Sequence, residues 1–310
     1  MPIKNKAVIS GATGAIGISL TNKLIENNIE TLILCRKNSP RVNDIPKNKL
    51  VNIVFCELDE YENFKIESNE KYDVFYHLAW SGTFGEARND VYLQTKNIKY
   101  TLDAVVLANK LGCRSFIGTG SQAEYGRIRE KLHADTKINP ETAYGSAKYT
   151  AGNLSRILCK NLGIKHIWTR ILSNYGPYDG ENTLISSALK AFLHGSSPDF
   201  TLAEQIWDYL YCDDTATALY LAAKNGIDGK TYCVGSGQRK ILKEYIEIMR
   251  NCVNPDIELK IGKLPYSENQ VMYLWADISE LTEDTGFIPQ VSFKEGIERT
   301  IKWIKEKKLA

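Results

Sequence analysis

The chain has no apolar stretch of the roughly 20 residues that a membrane-spanning helix needs, and its N-terminus has no apolar segment of the signal-peptide kind. It has no surplus of one charge. The 39 Lys and Arg against 37 Asp and Glu leave a formal net charge of +2, too weak a field to draw nucleic acid or a membrane surface. It has no C-x-x-C pair. Its seven cysteines (Cys35, Cys56, Cys113, Cys159, Cys212, Cys233 and Cys252) are odd in number and scattered. Most sit inside apolar runs, as reduced core thiols do, so no metal site and a cytoplasmic location are expected. There is no low-complexity linker and no internal repeat. The one basic cluster, Lys302-Trp-Ile-Lys305-Glu-Lys307-Lys308, reads as a solvated helix end.

What remains is an ordinary globular composition, 43% hydrophobic and 25% charged, over 310 residues. That length allows one large or two modest domains with real cores. Apolar strand-like runs alternate with helical patterns through the first 170 residues or so. Strands are predicted at Lys6–Ser10, Thr31–Cys35, Asn52–Phe55, Val74–His77, Ser115–Gly118 and His166–Arg170. Between them Ile16, Leu20 and Leu24 mark one helix. Ile98, Leu102 and Val105 mark a second within Asp90–Asn109, and Leu154, Leu158 and Leu162 a third after Tyr144. Alternation of this kind predicts an α/β fold, a doubly wound parallel sheet of Rossmann type covered on both faces. After Asn174 the pattern becomes irregular and turn-rich. A smaller mixed C-terminal substrate-binding lobe is therefore expected. The predicted division is 1–173 for the dinucleotide domain, with 206–235 returning to it, and 174–205 plus 236–310 for the lobe.

Two motifs carry chemistry. Gly11-Ala-Thr13-Gly14-Ala15-Ile16-Gly17 follows the first strand directly. A first glycine allows a tight turn, a second lets the backbone approach a pyrophosphate, and a third lets helix and sheet pack closely. The spacing is three and three rather than that of G-x-G-x-x-G. The second motif is Tyr144-Gly-Ser-Ala-Lys148, with Ser121 upstream between two strands. On a helix Tyr144 and Lys148 share one face, one turn apart. The Lys148 ammonium is expected to lower the tyrosine pKa from its usual value of about 10, so that the phenol acts as acid or base near neutrality. Ser121 can hold the substrate oxygen. At the end of the second strand Arg36 and Lys37 stand where an NAD site normally carries an acidic residue. A guanidinium suits a 2′-phosphate, so NADP is preferred, with NAD the alternative.

With these motifs in place the chain resembles the extended short-chain dehydrogenase/reductases, the nucleotide-sugar epimerases, dehydratases and ketoreductases, over nearly its whole length. The resemblance includes Gly11, Gly14 and Gly17, Glu57-Leu58 on the adenine side, His77-Leu78-Ala79 after the fourth strand, Asn97, and Ser121, Tyr144 and Lys148. Asn174-Tyr-Gly-Pro177 is similar to the family's Asn-x-Tyr-Gly-Pro region. Asp208-Tyr-Leu-Tyr-Cys-Asp-Asp214 is similar to its Asp-x-x-Tyr-Val-x-Asp strand. The resemblance implies catalysis by Ser121, Tyr144 and Lys148. It implies cofactor contacts from Gly11 to Gly17, from Arg36, Lys37, Glu57 and Leu58, and from Leu78, Ala79, Trp80 and Asn97, with Asn97 helping to hold the active-site helix. It implies substrate contacts from Ser121, Gln122, Ser173, Asn174 and Trp207, and a homodimer through the Asp90–Asn109 and Tyr144–Gly163 helices. His77 is read as a cofactor contact rather than a base.

The departures from that family narrow the reaction. Its dehydratases carry Asp-Glu directly after the catalytic hydroxyl residue; here stand Gln122 and Ala123, and Glu124, one place late, is expected to point elsewhere. Where an Arg often grips the substrate diphosphate, this chain has Trp207, leaving Arg88, Arg239 or Lys240 as substitutes. Trp207 either stacks on a base or sugar or packs at the lobe interface. Trp80 narrows the pocket near the nicotinamide. Reduction of a nucleotide-linked 4-keto hexose, with Tyr144 giving the proton, is the first reading. C4 epimerisation with tightly held NAD is the second, and a non-catalytic dinucleotide sensor is a distant third.

Overall fold

The computed structural model describes residues 6–65, 70–307 and 309, so Lys308 of the basic cluster lies outside the described residues. The elements run β1 (Lys6–Ser10), α1 (Ala15–Glu26), β2 (Glu30–Cys35), β3 (Val51–Phe55), β4 (Val74–His77), α2 (Val91–Lys110), β5 (Ser115–Ser121), α3 (Ala143–Leu162), β6 (Lys165–Ile171) and β7 (Ser173–Tyr175). They continue with α4 (Leu184–Leu193), β8 (Ile206–Trp207), β9 (Tyr209–Tyr211), α5 (Cys212–Asn225), β10 (Thr231–Val234), β11 (Lys240–Ile241), α6 (Leu242–Val253), α7 (Ser279–Thr285) and α8 (Phe293–Glu306). Seven strands form one parallel sheet in the order β10-β6-β5-β4-β1-β2-β3. The order reverses at β1, which puts the crevice for a dinucleotide beyond the carboxyl ends of β1 and β4.

Both faces of the sheet are apolar because both are covered. Ala7 and Ile9 of β1 join Leu20 and Leu24 of α1 and Leu219 of α5 in one core. Val8, between them, turns to the other side with Phe75, Phe116 and the α2 residues Val105 and Leu107. A separate cluster of Leu189, Phe192, Ile246, Met249, Ile297 and Ile301 holds the C-terminal helices together. Strands β8 and β9 pair outside the main sheet, with β11 and β7 respectively.

The helix starts follow local chemistry. Asp90 caps α2 by accepting from Leu93 N at 3.0 Å, and Thr142 caps α3 by accepting from Gly145 N at 3.0 Å. Gly163 ends α3 in the left-handed region, φ +70°.

The buried stripes differ from the predicted leucine stripes. On α2 the most deeply buried residues include Gln94, Asn97 and Thr101, while Ile98 and Leu102 are only half-buried. On α3 they are Tyr144, Gly145, Ala147, Lys148, Ala151, Gly152, Ser155 and Cys159, while Leu154 is 40% exposed. Polar and small residues face inward here because α2 and α3 lie against the site and against Trp168. The Asp208–Asp214 segment is also shorter as a strand than expected. The chain turns helical at Cys212, and Asp213 and Asp214 fall in the first turn of α5, where the helix dipole favours acids.

Trp168 of β6 shows why small residues are needed. A Cβ on Gly118 would lie 2.3 Å from the indole, one on Gly120 2.3 Å and one on Gly152 2.7 Å. Three glycines from β5 and α3 make the slot for one buried ring. Gly118→Ala is therefore expected to overpack this slot and cost about 1–3 kcal/mol, measured as a lower denaturant midpoint with an unchanged slope.

Candidate active site

The glycine turn has the shape its sequence predicts. Gly11 sits at φ +82°, and a Cβ there would lie 2.6 Å from Ala79 N, so the turn is pressed against the chain leaving β4. A Cβ on Gly17 would lie 2.3 Å from Gly11 O. At Gly14, by contrast, nothing stands within 4 Å of the added carbon. Gly14 is the N-cap of α1 and supplies no side-chain cap, so Thr13, Gly14, Ala15 and Ile16 form an open cradle at a helix N-terminus. The cradle fits a pyrophosphate.

Beside it, β2 ends level with β1, Leu34 pairing with Ser10, and Arg36 and Lys37 follow, both exposed. The nearby carboxylate of Glu57 accepts from Lys37 N at 3.1 Å and caps the turn that begins at Leu58. Leu58 packs on the core between the sheet and α2. Leu78, Ala79 and Trp80 follow β4 directly.

The catalytic candidates converge from three elements. Ser121 is the last residue of β5 rather than part of a loop between strands. Tyr144 and Lys148 lie on the first two turns of α3, both buried. Ser121 Oγ accepts from Ala123 N at 3.2 Å and lies close enough to the Tyr144 phenol to favour its ionised form. Lys148 Nζ donates to Thr119 O at 2.6 Å and stands 3.9 Å above the Trp80 ring but 5.8 Å from the Tyr144 ring. Trp80 meets Tyr144 edge-on, centroids 6.0 Å apart.

In the chain by itself burial pushes the Tyr144 phenol above its ordinary value, and Arg88 and then Ser121 pull it down. Burial takes the Lys148 ammonium down to about 7. An ammonium whose pKa is lowered keeps its proton below that value and loses it above, so at neutral pH its charge is already partial.

Glu124 is also placed differently from expectation. Residues Gln122–Glu124 form a tight helical turn, not an extended segment. The turn carries Glu124 inward to complete burial. Its carboxylate accepts from Ser121 N (2.9 Å), Trp168 Nε1 (3.0 Å) and Arg170 Nε (2.7 Å). All these bonds fix the end of β5, and none leaves Glu124 free to work as a second acid beside Ser121.

Asn97 does not hold the active-site helix. Its Oδ1 accepts from Ser81 N and its Nδ2 donates to Ser81 O, each at 2.9 Å, so it clamps the loop after β4. Gln94, which nothing in the sequence singles out except its place one turn before Asn97, does the rest. It accepts from Trp80 Nε1 (2.9 Å) and donates to Gly82 O and Ala87 O (2.8 Å each). His77 is buried between Ser10 Oγ (2.9 Å) and Thr101 Oγ1 (3.3 Å), and burial lowers its pKa to about 3, which leaves it a neutral structural residue.

The substrate candidates are tied to one another. Trp207 Nε1 donates to Ser173 Oγ at 2.9 Å, and the ring packs between the cluster of C-terminal helices and a second one made by Tyr125, Leu132, Leu172, Cys233, Leu274 and Ala276. Asn174 Oδ1 accepts from Thr215 Oγ1 at 2.8 Å. Gln122 is half-buried beside Ser121. Of the substitute cations, Arg88 lies over the Tyr144 ring at 4.3 Å, Arg239 lies over Trp275 at 4.5 Å, and Lys240 pairs with Trp207 in the β11–β8 ladder. Among the described residues no group of three or more His, Cys, Asp or Glu is placed to hold a metal, and no helix is long and apolar enough to cross a membrane.

Comparison with known proteins agrees with this geometry. The model of the NAD dependent epimerase/dehydratase family matches residues 7–235. A putative UDP-glucose 4-epimerase of Methanocaldococcus jannaschii is 29% identical over 96% of this chain and 98% of that protein. A dTDP-glucose 4,6-dehydratase of Escherichia coli is 23% identical over 96% of this chain and 93% of its own. The structure of a UDP-N-acetylglucosamine 4-epimerase from Methanobrevibacter ruminantium superposes with a TM-score of 0.88 at 23% identity, over 99% of this chain and 100% of that one.

The clamp on the loop after β4 generates a stability prediction. Gln94→Leu keeps the volume but strands a buried indole N–H and two carbonyls. We expect a loss of about 1–3 kcal/mol in chemical unfolding and faster amide exchange confined to residues 80–88.

Proposed function

This chain belongs to the NAD dependent epimerase/dehydratase family, and from that premise we propose that it reduces the 4-keto group of a nucleotide-linked hexose with NADPH. The observation that carries this reading is the pair Arg36 and Lys37, exposed just after β2 and beside the glycine turn, where the C-terminal end of the strand carries no acidic residue and the nearest carboxylate, Glu57, is bonded to Lys37 N. A bound NADPH supplies the hydride to the carbonyl carbon. The chain does everything else. Gly11 to Gly17 seat the pyrophosphate, and Glu57 and Leu58 flank the adenine. Leu78, Ala79 and Trp80 line the nicotinamide side. Ser121 holds the substrate oxygen, Tyr144 gives it a proton, and Lys148 anchors the inner wall through Thr119. Gln122, Ser173, Asn174 and Trp207 border the sugar and its nucleotide.

Elimination of water is disfavoured. It needs an acid and a base at neighbouring carbons, whereas Gln122 and Ala123 carry no charge and the Glu124 carboxylate is fully occupied by Ser121, Trp168 and Arg170. Epimerisation at C4 uses the same Ser121–Tyr144 pair, and the likeness to a putative UDP-glucose 4-epimerase supports it as the second reading. A homodimer through the outer faces of α2 and α3 is supported by exposed apolar side chains there, Val91, Tyr92, Leu154 and Ile157. A cytoplasmic location is supported by the seven free cysteines, six of them buried.

The reaction is tested by incubating the protein with NADPH and nucleotide-linked 4-keto hexoses. We expect one NADPH oxidised per sugar reduced, and an Arg36→Ala, Lys37→Ala double variant to lose about 10- to 100-fold in NADPH affinity with NADH affinity unchanged. Inversion of C4 in a nucleotide hexose without net cofactor consumption would move the assignment to an epimerase. In either reaction Tyr144→Phe should lower kcat by about 10²- to 10⁴-fold while dinucleotide binding is retained; equal turnover would remove Tyr144 from the catalytic assignment.

A further inference from the structure

The catalytic tyrosine lies between two cations that come from different places. Lys148, one turn away on the same helix, is occupied elsewhere: its ammonium is bonded to the Thr119 carbonyl and lies on the Trp80 face. Arg88 comes from the short turn at Gly85–Asn89, between β4 and α2, and its guanidinium lies 4.3 Å from the centre of the Tyr144 ring. We propose that Arg88 is the positioning residue that sets the charge environment of Tyr144 and holds its ring against Trp80, the part that Lys148 plays in a simple reading of Tyr-x-x-x-Lys.

The placement is built into the fold. Arg88 Nη1 donates to Thr83 O at 3.2 Å, which bends the side chain back across its own turn. That turn is in turn held from α2. The buried Gln94 amide bonds Gly82 O and Ala87 O, residues on either side of the turn, and accepts from Trp80. The buried Asn97 bonds both backbone groups of Ser81. Two side chains of α2 thus fix the whole segment that carries Trp80 at one end and Arg88 at the other. Tyr144 sits between them, Trp80 edge-on to it and Arg88 across its face.

The other charged and titratable groups around the phenol act against ionisation or are distant from it. Glu124, on the turn after β5, raises its proton affinity through space, and burial raises it further. Ser121, on β5, lowers it. Lys148, on α3, is 5.8 Å from the ring, and its own ammonium is weakened by burial. Arg88 stands nearest the ring, 4.3 Å from its centre against 5.8 Å for Lys148. An opposite charge at such range favours the ionised phenol, by roughly 1–3 pH units in comparable settings.

This inference rests on the assignment of Tyr144 as the proton donor, so its test is read on the protein without substrate. Tyrosine labelled with ¹³C at Cζ reports each phenol separately, and the Tyr144 signal is identified by its loss in Tyr144→Phe. In Arg88→Gln we expect the Tyr144 titration to move up by roughly 1–3 pH units, and in Arg88→Lys, which keeps the cation, to return most of the way. The remaining tyrosine signals serve as the check that both variants are folded. In turnover, the acid–base limb of the pH profile should move in the same direction and by the same amount, with the effect on kcat exceeding that on KM. A Tyr144 titration unmoved in Arg88→Gln, or shifted equally in Arg88→Lys, overturns the proposal. A shifted titration in a protein that turns over no nucleotide sugar would instead leave Arg88 standing and remove the reaction assigned above.

Discussion

The site depends on one buried carboxylate. Glu124 is fully enclosed, and its two oxygens take a backbone N–H from Ser121, an indole N–H from Trp168 and the guanidinium of Arg170. Arg170 in turn donates to Tyr125 Oη at 3.0 Å and to Ala134 O at 2.7 Å. An ion pair in a low-dielectric interior repays its desolvation only when the remaining donors and acceptors are met, and here they are. The result is geometric. The ends of β5 and β6 are locked to each other, and Ser121 is held at the mouth of the sheet. The turn that Glu124 closes is also the floor for α3: a Cβ on Gly145 would lie 2.2 Å from Ala123 O. The first turn of α3, with Tyr144 on it, is pressed directly onto the turn that positions Ser121.

A second layer works on the opposite side of the tyrosine. There the holding groups are neutral amides, Gln94 and Asn97, which is why the N-terminal half of α2 buries polar side chains while its C-terminal half buries Ala104, Val105, Leu107 and Ala108. Amides suit this task because each presents a donor and an acceptor to backbone groups of an irregular loop. The loop after β4 has no ladder of its own, and these side chains supply the partners that a strand or helix would have given. Trp80 and Arg88 therefore reach the ring from a segment held by hydrogen bonds from Gln94 and Asn97.

The two layers also explain the division of labour among the cations. Lys148 lies deep, on a carbonyl and an indole, where burial weakens its charge to a pKa of about 7. Arg88 lies half-buried, with its guanidinium over the face of the Tyr144 ring. A Tyr-x-x-x-Lys spacing says that the two side chains share a helix face. It does not say which neighbour the ammonium will choose, and Trp80, placed by a different part of the chain, takes it.

The local features of this protein were legible in its sequence. Six strands stand where apolar runs predict them, because a parallel sheet covered on both faces needs continuous apolar segments. The Gly11–Gly17 turn and the shared face of Tyr144 and Lys148 follow from backbone geometry over a few residues. What only the tertiary structure decided was every contact between segments distant in the chain. Sequence periodicity picked Ile98, Leu102 and Val105 on α2 and three leucines on α3; Val105 is buried in the core, but the buried faces also carry Gln94, Asn97, Gly145 and Gly152, because there the neighbours are a loop, a turn and an indole. Glu124 reads as a displaced acid and proves to be the tie between two strands, since its partners Trp168 and Arg170 lie more than forty residues on. Arg88 reads as one of several spare cations and lies on Tyr144, since the turn that carries it is shaped by hydrogen bonds from another element. Short-range rules fix which residues are helical or extended; the environment of an ionisable group is a sum over neighbours that only the folded chain brings together.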